Sequence, residues 1–252
     1  MKDPKQRFSD RVDNYKKYRP GYPAPLISDL ARICGLSPSS TIADIGSVTG
    51  IFTELLLERG FRVIAVEPNE SMRKQAEADL AKYSAFLSVN ACAEETGLAS
   101  DSIDLITVCQ AFHWFDRAKS KLEFKRILKA DGHLALIWNE RLSNTPFMTG
   151  YEKLLNQIPE YVASTHKNIG EKEIALYFSP NQFQILNYPN KQEFDLNGLK
   201  GRLLSSSYIP SENEKGHREL VEEINRLFRK YQENGKIDFN YGTTVYLGLF
   251  KN

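Results

Sequence analysis

Thr41-Ile42-Ala43-Asp44-Ile45-Gly46-Ser47-Val48-Thr49-Gly50 is the stretch on which the fold turns. Its first five residues are apolar or β-branched apart from Asp44, as a short buried strand requires. Gly46 and Gly50 bracket a turn, and Ile51–Arg59 follows as a helix closed by Gly60, a residue suited to the position just past a helix end. Further out, Phe61–Val66 is a second strand. Asn69 or Ser71 caps a helix running to about Tyr83, with Met72, Ala76 and Leu80 on one stripe. Ala85–Val89 and Ile103–Cys109 are the third and fourth strands. Asp116 caps a helix through Leu128, and Asp131-Gly132 turns the chain into a fifth strand, His133–Trp138.

These strands are continuous apolar runs rather than in–out alternations, so they belong to a parallel sheet covered by helices on both faces. Strand–helix–strand repeats with right-handed crossovers make this a doubly wound α/β fold. After Asn139 the rhythm changes. Residues 140–182 hold Pro146, Pro159 and Pro180, several aromatics and no clear strand, which reads as a helical cap inserted over the sheet. Phe147, Tyr151, Tyr161, His166, Tyr177 and Phe178 either line that cap or form its core. Phe183–Tyr188 and Phe239–Phe250 are the last two strands. Between them Asn213–Gln232 is an amphipathic helix with Leu220, Val221, Ile224, Leu227, Phe228 and Tyr231 on one face. The expected architecture is a mostly parallel seven-stranded sheet in one domain over 1–252. Residues 1–40 form an N-terminal helical cover, 41–139 a cofactor-binding core, 140–182 the cap and 183–252 the C-terminal strands and helix.

Composition narrows the function classes. The chain has 252 residues, 33 Lys+Arg against 32 Asp+Glu, and a formal charge of +1. A chain of this size buries about 70–75% of its unfolded surface and needs neither disulfide nor metal to hold a core. Near-neutrality argues against nucleic acid bound by broad phosphate attraction. Residues 1–22 nevertheless carry 7 Lys+Arg and 3 Asp, a local excess of +4. Cys34, Cys92 and Cys109 form no C-x-x-C pair and have no His at ligand spacing, so neither a disulfide framework nor a metal site is expected. There is no signal-peptide core, and the apolar runs are strand-sized, far short of the roughly 20 residues of a membrane span. A cytoplasmic protein is the reading that follows. Cys109 ends an apolar strand and reads as core rather than as a nucleophile.

In doubly wound sheets, ligands bind beyond the carboxyl ends of the strands, where strand order reverses. The turn Asp44-Ile45-Gly46-Ser47-Val48-Thr49-Gly50 lies there, and its glycines and helix N-terminus suit close approach of a ligand to the backbone. Glu67, 21 residues beyond Gly46, ends the second strand where a carboxylate accepts hydrogen bonds from ribose hydroxyls. Strand, glycine turn, helix, strand and acid together indicate an adenosine-containing cofactor; the plainer alternative is an ordinary turn and a capping Glu. Gly46-Ser47-Val48-Thr49-Gly50-Ile51 fails the G-x-G-x-x-G pattern of nicotinamide and flavin enzymes, and no G-x-x-x-x-G-K-[ST] phosphate loop is present.

The Asp-x-Gly-x-x-Thr-Gly turn together with Glu67-Pro68-Asn69-x-x-Met72 resembles the first two motifs of class I S-adenosylmethionine-dependent methyltransferases. Ala91-Cys92-Ala93-Glu94 resembles their adenine-flanking segment, and Gln110-Ala111-Phe112-His113-Trp114-Phe115 their motif facing the methyl donor. Tyr15-Lys16-Lys17-Tyr18-Arg19-Pro20-Gly21-Tyr22-Pro23 is similar to the N-terminal cover of the type 11, trans-aconitate methyltransferase-like subgroup. Residues 8–139 carry most of the likeness, and Ser205-Ser206-Ser207-Tyr208 with Thr243–Leu249 fit that subgroup's C-terminal end.

The resemblance implies a Rossmann-like methyltransferase fold, S-adenosyl-L-methionine as cofactor, and methyl transfer to a small-molecule acceptor by in-line displacement. It places the backbone of Gly46, Val48 and Gly50 along the methionine part of the cofactor and Glu67 on the ribose. Met72 packs on the adenine, Ala93 and Glu94 edge it, and Gln110 sits below the methionine moiety by its main chain. The plainer alternatives are helix core for Met72, a solvated loop acid for Glu94, and for Asp44 a role orienting the loop without touching ligand. His113 and Trp114 lie where the acceptor enters; His113 is either a general base for an O–H or N–H nucleophile or a pocket wall. Tyr15, Tyr18 and Arg19 form a lid over the cofactor, or simply a solvated helix. Val48 stands where the family has glycine, and a β-branched side chain disfavours φ > 0. Either the loop takes a conformation that Val tolerates or cofactor affinity is modestly weakened. Two other readings stay open: a cofactor-binding module without turnover, which Val48 would suit, and an NAD-type oxidoreductase, which the failed glycine pattern disfavours. Oligomeric state is not legible.

Overall fold

The computed structural model describes residues 17–163, 169–206 and 208–251. Tyr15 and the basic run before residue 17, His166 and Ser207 lie outside the described residues. After helix α1 (Ala24–Ile33), strand β1 (Thr41–Ile45) enters the centre of a seven-stranded sheet. It is followed in turn by α2 (Ile51–Glu58), β2 (Arg62–Val66), α3 (Glu70–Leu80), β3 (Phe86–Val89) and β4 (Ile103–Cys109). Next come α4 (Arg117–Ile127), β5 (Leu128–Arg141), α5 (Pro146–Leu155), α6 (Pro159–Val162) and α7 (Glu171–Phe178). The chain ends in β6 (Gln184–Phe194), α8 (Leu196–Leu204), α9 (His217–Tyr231) and β7 (Ile237–Leu249). Strand order is β3-β2-β1-β4-β5-β7-β6, with β1 to β5 mutually parallel and β7 antiparallel to both of its neighbours.

The expected α/β class, the seven strands and the mostly parallel sheet all hold. Strand order reverses between β1 and β4, so their carboxyl ends open the crevice in which doubly wound folds bind ligands. Local chemistry sets the helix starts: Asn69 Oδ1 accepts from Met72 N–H at 3.0 Å, and Asp116 Oδ1 from Ala118 and Lys119 N–H at 3.1 Å. Alternate residues of each strand face opposite layers. Ile42 packs with α1, α2 and α3 through Leu30, Leu56 and Leu80, while Ala43 and Ile45 share a core with Phe124 and Ile127 of α4.

Three features depart from the sequence reading. The fifth strand begins at Leu128 and runs to Arg141; the turn expected at Asp131-Gly132 is a bulge that shifts pairing from Ile103↔Leu128 to Leu105↔His133. The strand's far end is held by β7, pairing Arg141 with Tyr241. The residues expected as one cap also divide between two cores. From α7, Ile174, Tyr177 and Phe178 join the sheet-face core, whereas Phe147, Tyr151 and Tyr161 of α5 and α6 join a third core with α8, α9 and the start of β7. Finally, α8 was not anticipated, and β6 extends well past Tyr188 to Phe194. Pro189 is tolerated within β6 because that strand is the sheet's edge. No helix among the described residues is long and apolar enough to cross a membrane.

Candidate functional site

Asp44 is the foundation of the crevice. It is buried at the end of β1, where Oδ2 accepts from Thr53 Oγ1 of α2 at 2.6 Å and Oδ1 from Thr107 Oγ1 of β4 at 2.9 Å. Burial pushes its carboxyl up to about 6, against the pull of those two hydroxyls. Both oxygens therefore face the protein, tying three elements together directly beneath the glycine turn.

The turn itself is pinned to β2. Gly46 and Ser47 N–H donate to the Val66 carbonyl at 2.8 and 3.3 Å, and Val48 N–H donates to Glu67 Oε2 at 3.0 Å. Glu67 Oε1 accepts from Asn69 N–H at 2.7 Å, so one carboxylate spans the turn and the start of α3. It is 7% exposed, and burial raises its pKa although the Asn69 and Val48 bonds and the Arg73 charge work against that. A carboxylate offers about four acceptor positions, so two remain for a ligand's hydroxyls.

Val48 adopts a φ of 55°, the left-handed backbone that favours glycine rather than a conformation natural to Val. Left-handed backbone costs an L-residue roughly 1–2 kcal/mol, and the Glu67 bond is what holds it. Val48→Gly relieves that strain at a cost of about 0.5–1 kcal/mol in unfolded-state entropy. The expected result is a melting temperature unchanged or raised by about 1–3 °C in a thermal scan; a clear fall would mean that the Val side chain contributes more through packing than it loses in strain. Gly46, at φ 72°, leaves no room for a side chain, since a Cβ there would lie 2.6 Å from Ala111 Cβ. Gly50, at φ 78°, is similarly crowded by Leu80 Cδ1 at 2.7 Å. The buried Thr49 hydroxyl between them has no hydrogen-bond partner.

Opposite this turn, β4 is followed by a second left-handed residue, Gln110, at φ 57°. Its N–H donates to the Ile137 carbonyl at 2.9 Å and its Nε2 to the Asn139 carbonyl at 2.9 Å, which turns the chain across the crevice.

A methyltransferase-domain family profile matches residues 43–136, the span from β1 to β5. An uncharacterized methyltransferase of Mycobacterium tuberculosis is 37% identical over 134 residues, 53% of this chain and 52% of that relative; the chain thus matches about half that protein's length. An uncharacterized methyltransferase of Schizosaccharomyces pombe is 28% identical over 250 residues, 95% of either chain. The solved structure of a candidate type II methyltransferase from Anaeromyxobacter dehalogenans superposes with a TM-score of 0.71 at 21% identity, covering 92% of this chain and 97% of that one. Residues 43–136 thus carry a methyltransferase domain.

The remaining residues of the methyltransferase domain that the motifs pointed to fall into two groups. Met72 and Ala93 are buried, 1% and 4% exposed, on α3 and in the segment after β3. Glu94 is bound rather than free: its Oε1 accepts from Asp116 N–H at 2.8 Å, joining that segment to the start of α4. His113 and Trp114 sit in a short 3-10 turn after Gln110, their rings 4.7 Å apart, while Phe112 is driven into the core against Tyr177 at 4.6 Å. Burial holds the Cys109 thiol well above its usual range, with the Asp44 charge adding to the effect, so it stays protonated and weakly nucleophilic.

Tyr18 and Arg19 pack against the C-terminal elements. The Tyr18 ring fills the space a side chain at Gly201 of α8 would need. Arg19 Nη2 donates to the Ser205 carbonyl at 3.2 Å, and Gln192 Nε2 of β6 donates to the Tyr18 and Arg19 carbonyls at 3.4 and 3.3 Å. Gly21 returns to the crevice, its carbonyl accepting from Asn139 Nδ2 at 3.1 Å. Asn139, Arg141 and Arg202 were not singled out by motif. The only available signal was that Asn139 and Arg141 continue the fifth strand past its apolar run.

Proposed function

We propose that this chain transfers a methyl group from S-adenosyl-L-methionine to a small-molecule acceptor. The observation that carries the reading is the bond from left-handed Val48 to Glu67, which sets a glycine turn and an acid at the strand-order switch as an adenosine-sulfonium ligand requires. The residues present fit that cofactor. The crowded glycines leave the backbone open, Glu67 keeps acceptor capacity for ribose hydroxyls, and the buried Thr49 hydroxyl still lacks a partner. Met72, Ala93 and Glu94 flank the adenine side, and Gln110, with the turn from Gly46 to Gly50, bounds the methionine side.

When bound, the cofactor supplies an already activated methyl group on sulfur. The protein's task is then orientation, which supplies roughly 7–11 kcal/mol of a barrier when reacting atoms are held in line. Asp44 fixes β1, α2 and β4 so that both lips of the crevice keep their spacing. His113 and Trp114 bound the acceptor side, where His113 either walls the pocket or takes a proton from an O–H or N–H nucleophile.

Calorimetric titration with S-adenosylhomocysteine is the test. Binding with Kd in the range of about 1–100 μM is expected, with none for NAD. Absence of binding would sink the proposal. Binding without S-adenosylhomocysteine release in a screen of small-molecule acceptors would instead mark a module without turnover.

A further inference from the structure

Beyond Asn139, two arginines lie against the third core. Arg202 of α8 is 2% exposed. Its Nε donates to Tyr241 Oη at 2.8 Å and its Nη1 to Ser206 and Ser205 Oγ at 3.2 and 3.4 Å. Those partners are neutral hydroxyls, and among the described residues Arg202 forms no ion pair. Guanidinium stays charged at every accessible pH, and a buried charge without a counter-charge is costly to keep.

Arg141, at the end of β5, points into the same space. It donates to Tyr161 Oη at 2.7 Å and to Tyr208 Oη at 3.4 Å, and its Nε is buried without a partner. Glu152 Oε2 stands 3.6 Å from it, and Oε1 of the same carboxylate accepts from Tyr161 Oη at 2.6 Å, so Glu152 is the partial counter-charge of Arg141. Tyr208 reports the field between the arginines. Burial alone would raise its phenol, yet Arg141, Arg202, Ser206 and Arg19 together bring it below its ordinary value. Arg141 and Arg202 thus both act on one phenol, and among the described residues Arg141 has Glu152 beside it while Arg202 has no carboxylate.

We propose that Arg141, Arg202 and Tyr208 form an anion subsite that holds a carboxylate or phosphate of the methyl acceptor, as a handle rather than as the group methylated. This deepens the methyltransferase reading and rests on it. Two arguments separate the handle from the reacting atom. Gln110, on the methionine side of the crevice, bonds the Asn139 carbonyl, and Arg141 lies two residues further along β5, roughly 7 Å on. An oxyanion bound by two guanidinium groups also has its lone pairs engaged and is a poor nucleophile. The acceptor class is therefore a small molecule with an anionic end and a nucleophilic atom about one ring-width away.

The test uses the full chain saturated with S-adenosylhomocysteine and three probes: benzoate, phenyl phosphate and the neutral benzamide. Benzoate or phenyl phosphate at about 10 mM is expected to raise the melting temperature, and benzamide is not. Arg202→Met should weaken the anion response at least tenfold while leaving S-adenosylhomocysteine affinity within twofold and the ligand-free melting temperature unchanged or higher. Arg141→Met provides the same readout should Arg202→Met fold poorly. The inference is overturned by equal stabilisation from benzamide, or by no response to either anion while S-adenosylhomocysteine still binds. It is also overturned by parallel loss of S-adenosylhomocysteine affinity in both variants, which would assign the arginines to the cofactor's own carboxylate.

Discussion

Glu67→Ala is expected to lower the melting temperature by about 5–15 °C and S-adenosylhomocysteine affinity at least about 100-fold, the larger of the two coming from the loop. Both carboxylate oxygens hold backbone: Oε2 takes Val48 N–H and Oε1 takes Asn69 N–H. Truncation leaves two enclosed donors without partners, at about 1–3 kcal/mol each. It also frees Val48 from the only bond described that opposes its left-handed strain. Part of this is offset, because the carboxylate is buried and its raised pKa records the cost of keeping it charged there. Glu67→Gln separates the contributions. Its amide oxygen still accepts one N–H, but the NH₂ end meets the second donor head-on, so the turn or the start of α3 is released, not both. Thermal scans should rank wild type, Gln, Ala in descending stability, and titration should follow the same order. If Ala binds S-adenosylhomocysteine as wild type does, Glu67 neither orders the turn nor meets the ribose.

The same residue shows why so much of the crevice is legible in the sequence. Glycine spacing, the acid at the end of β2 and the caps Asn69 and Asp116 are local features, each written within a few residues of the backbone group it satisfies. What the pattern did not carry was set by contacts distant in the chain. β5 reads as ending at Trp138 because the residues after it are polar; they remain in the sheet because β7, a hundred residues later, pairs Arg141 with Tyr241. Residues 140–182 read as one cap because their prolines and aromatics do not reveal which core each helix serves. Phe124 and Phe250 draw Tyr177 to the sheet, whereas Phe239 draws Tyr151 to the other side. Arg202 lies in a short helix with Lys200 nearby and looks like a solvated charge; only the packing of α8 against Tyr241 buries it. At Val48 the residue type left open a loop shape that Val tolerates or a weakened cofactor affinity; the turn is left-handed, held by a bond from the end of β2 against local preference.

Gly46→Ala is expected to cost about 2–4 kcal/mol, a fall of about 5–15 °C in melting temperature, and to weaken S-adenosylhomocysteine binding more than about tenfold. Two effects combine. Alanine at φ 72° pays roughly 1–2 kcal/mol for left-handed backbone. The added methyl would also sit 2.6 Å from Ala111 Cβ, closer than two carbons can approach, so one lip of the crevice must move. Neither lip moves freely. Gly46 N–H is bonded to Val66, and Ala111 follows Gln110, which is bonded to both Ile137 and Asn139. Strain therefore passes to the Val48–Glu67 bond on one side and the Gln110 turn on the other, the two groups proposed to bound the cofactor. Gly60→Ala isolates the backbone component, because Gly60 is also left-handed, at φ 82°, but has no atom within 4 Å of its would-be Cβ. It should lose only about 2–6 °C and leave S-adenosylhomocysteine affinity unchanged. Ala111→Gly on the Gly46→Ala background removes the clash alone and should restore most of the affinity while the backbone strain persists, a coupling that a double-mutant cycle measures directly. Equal losses in Gly46→Ala and Gly60→Ala, or no rescue by Ala111→Gly, would mean that the close approach of the two lips does not shape the site.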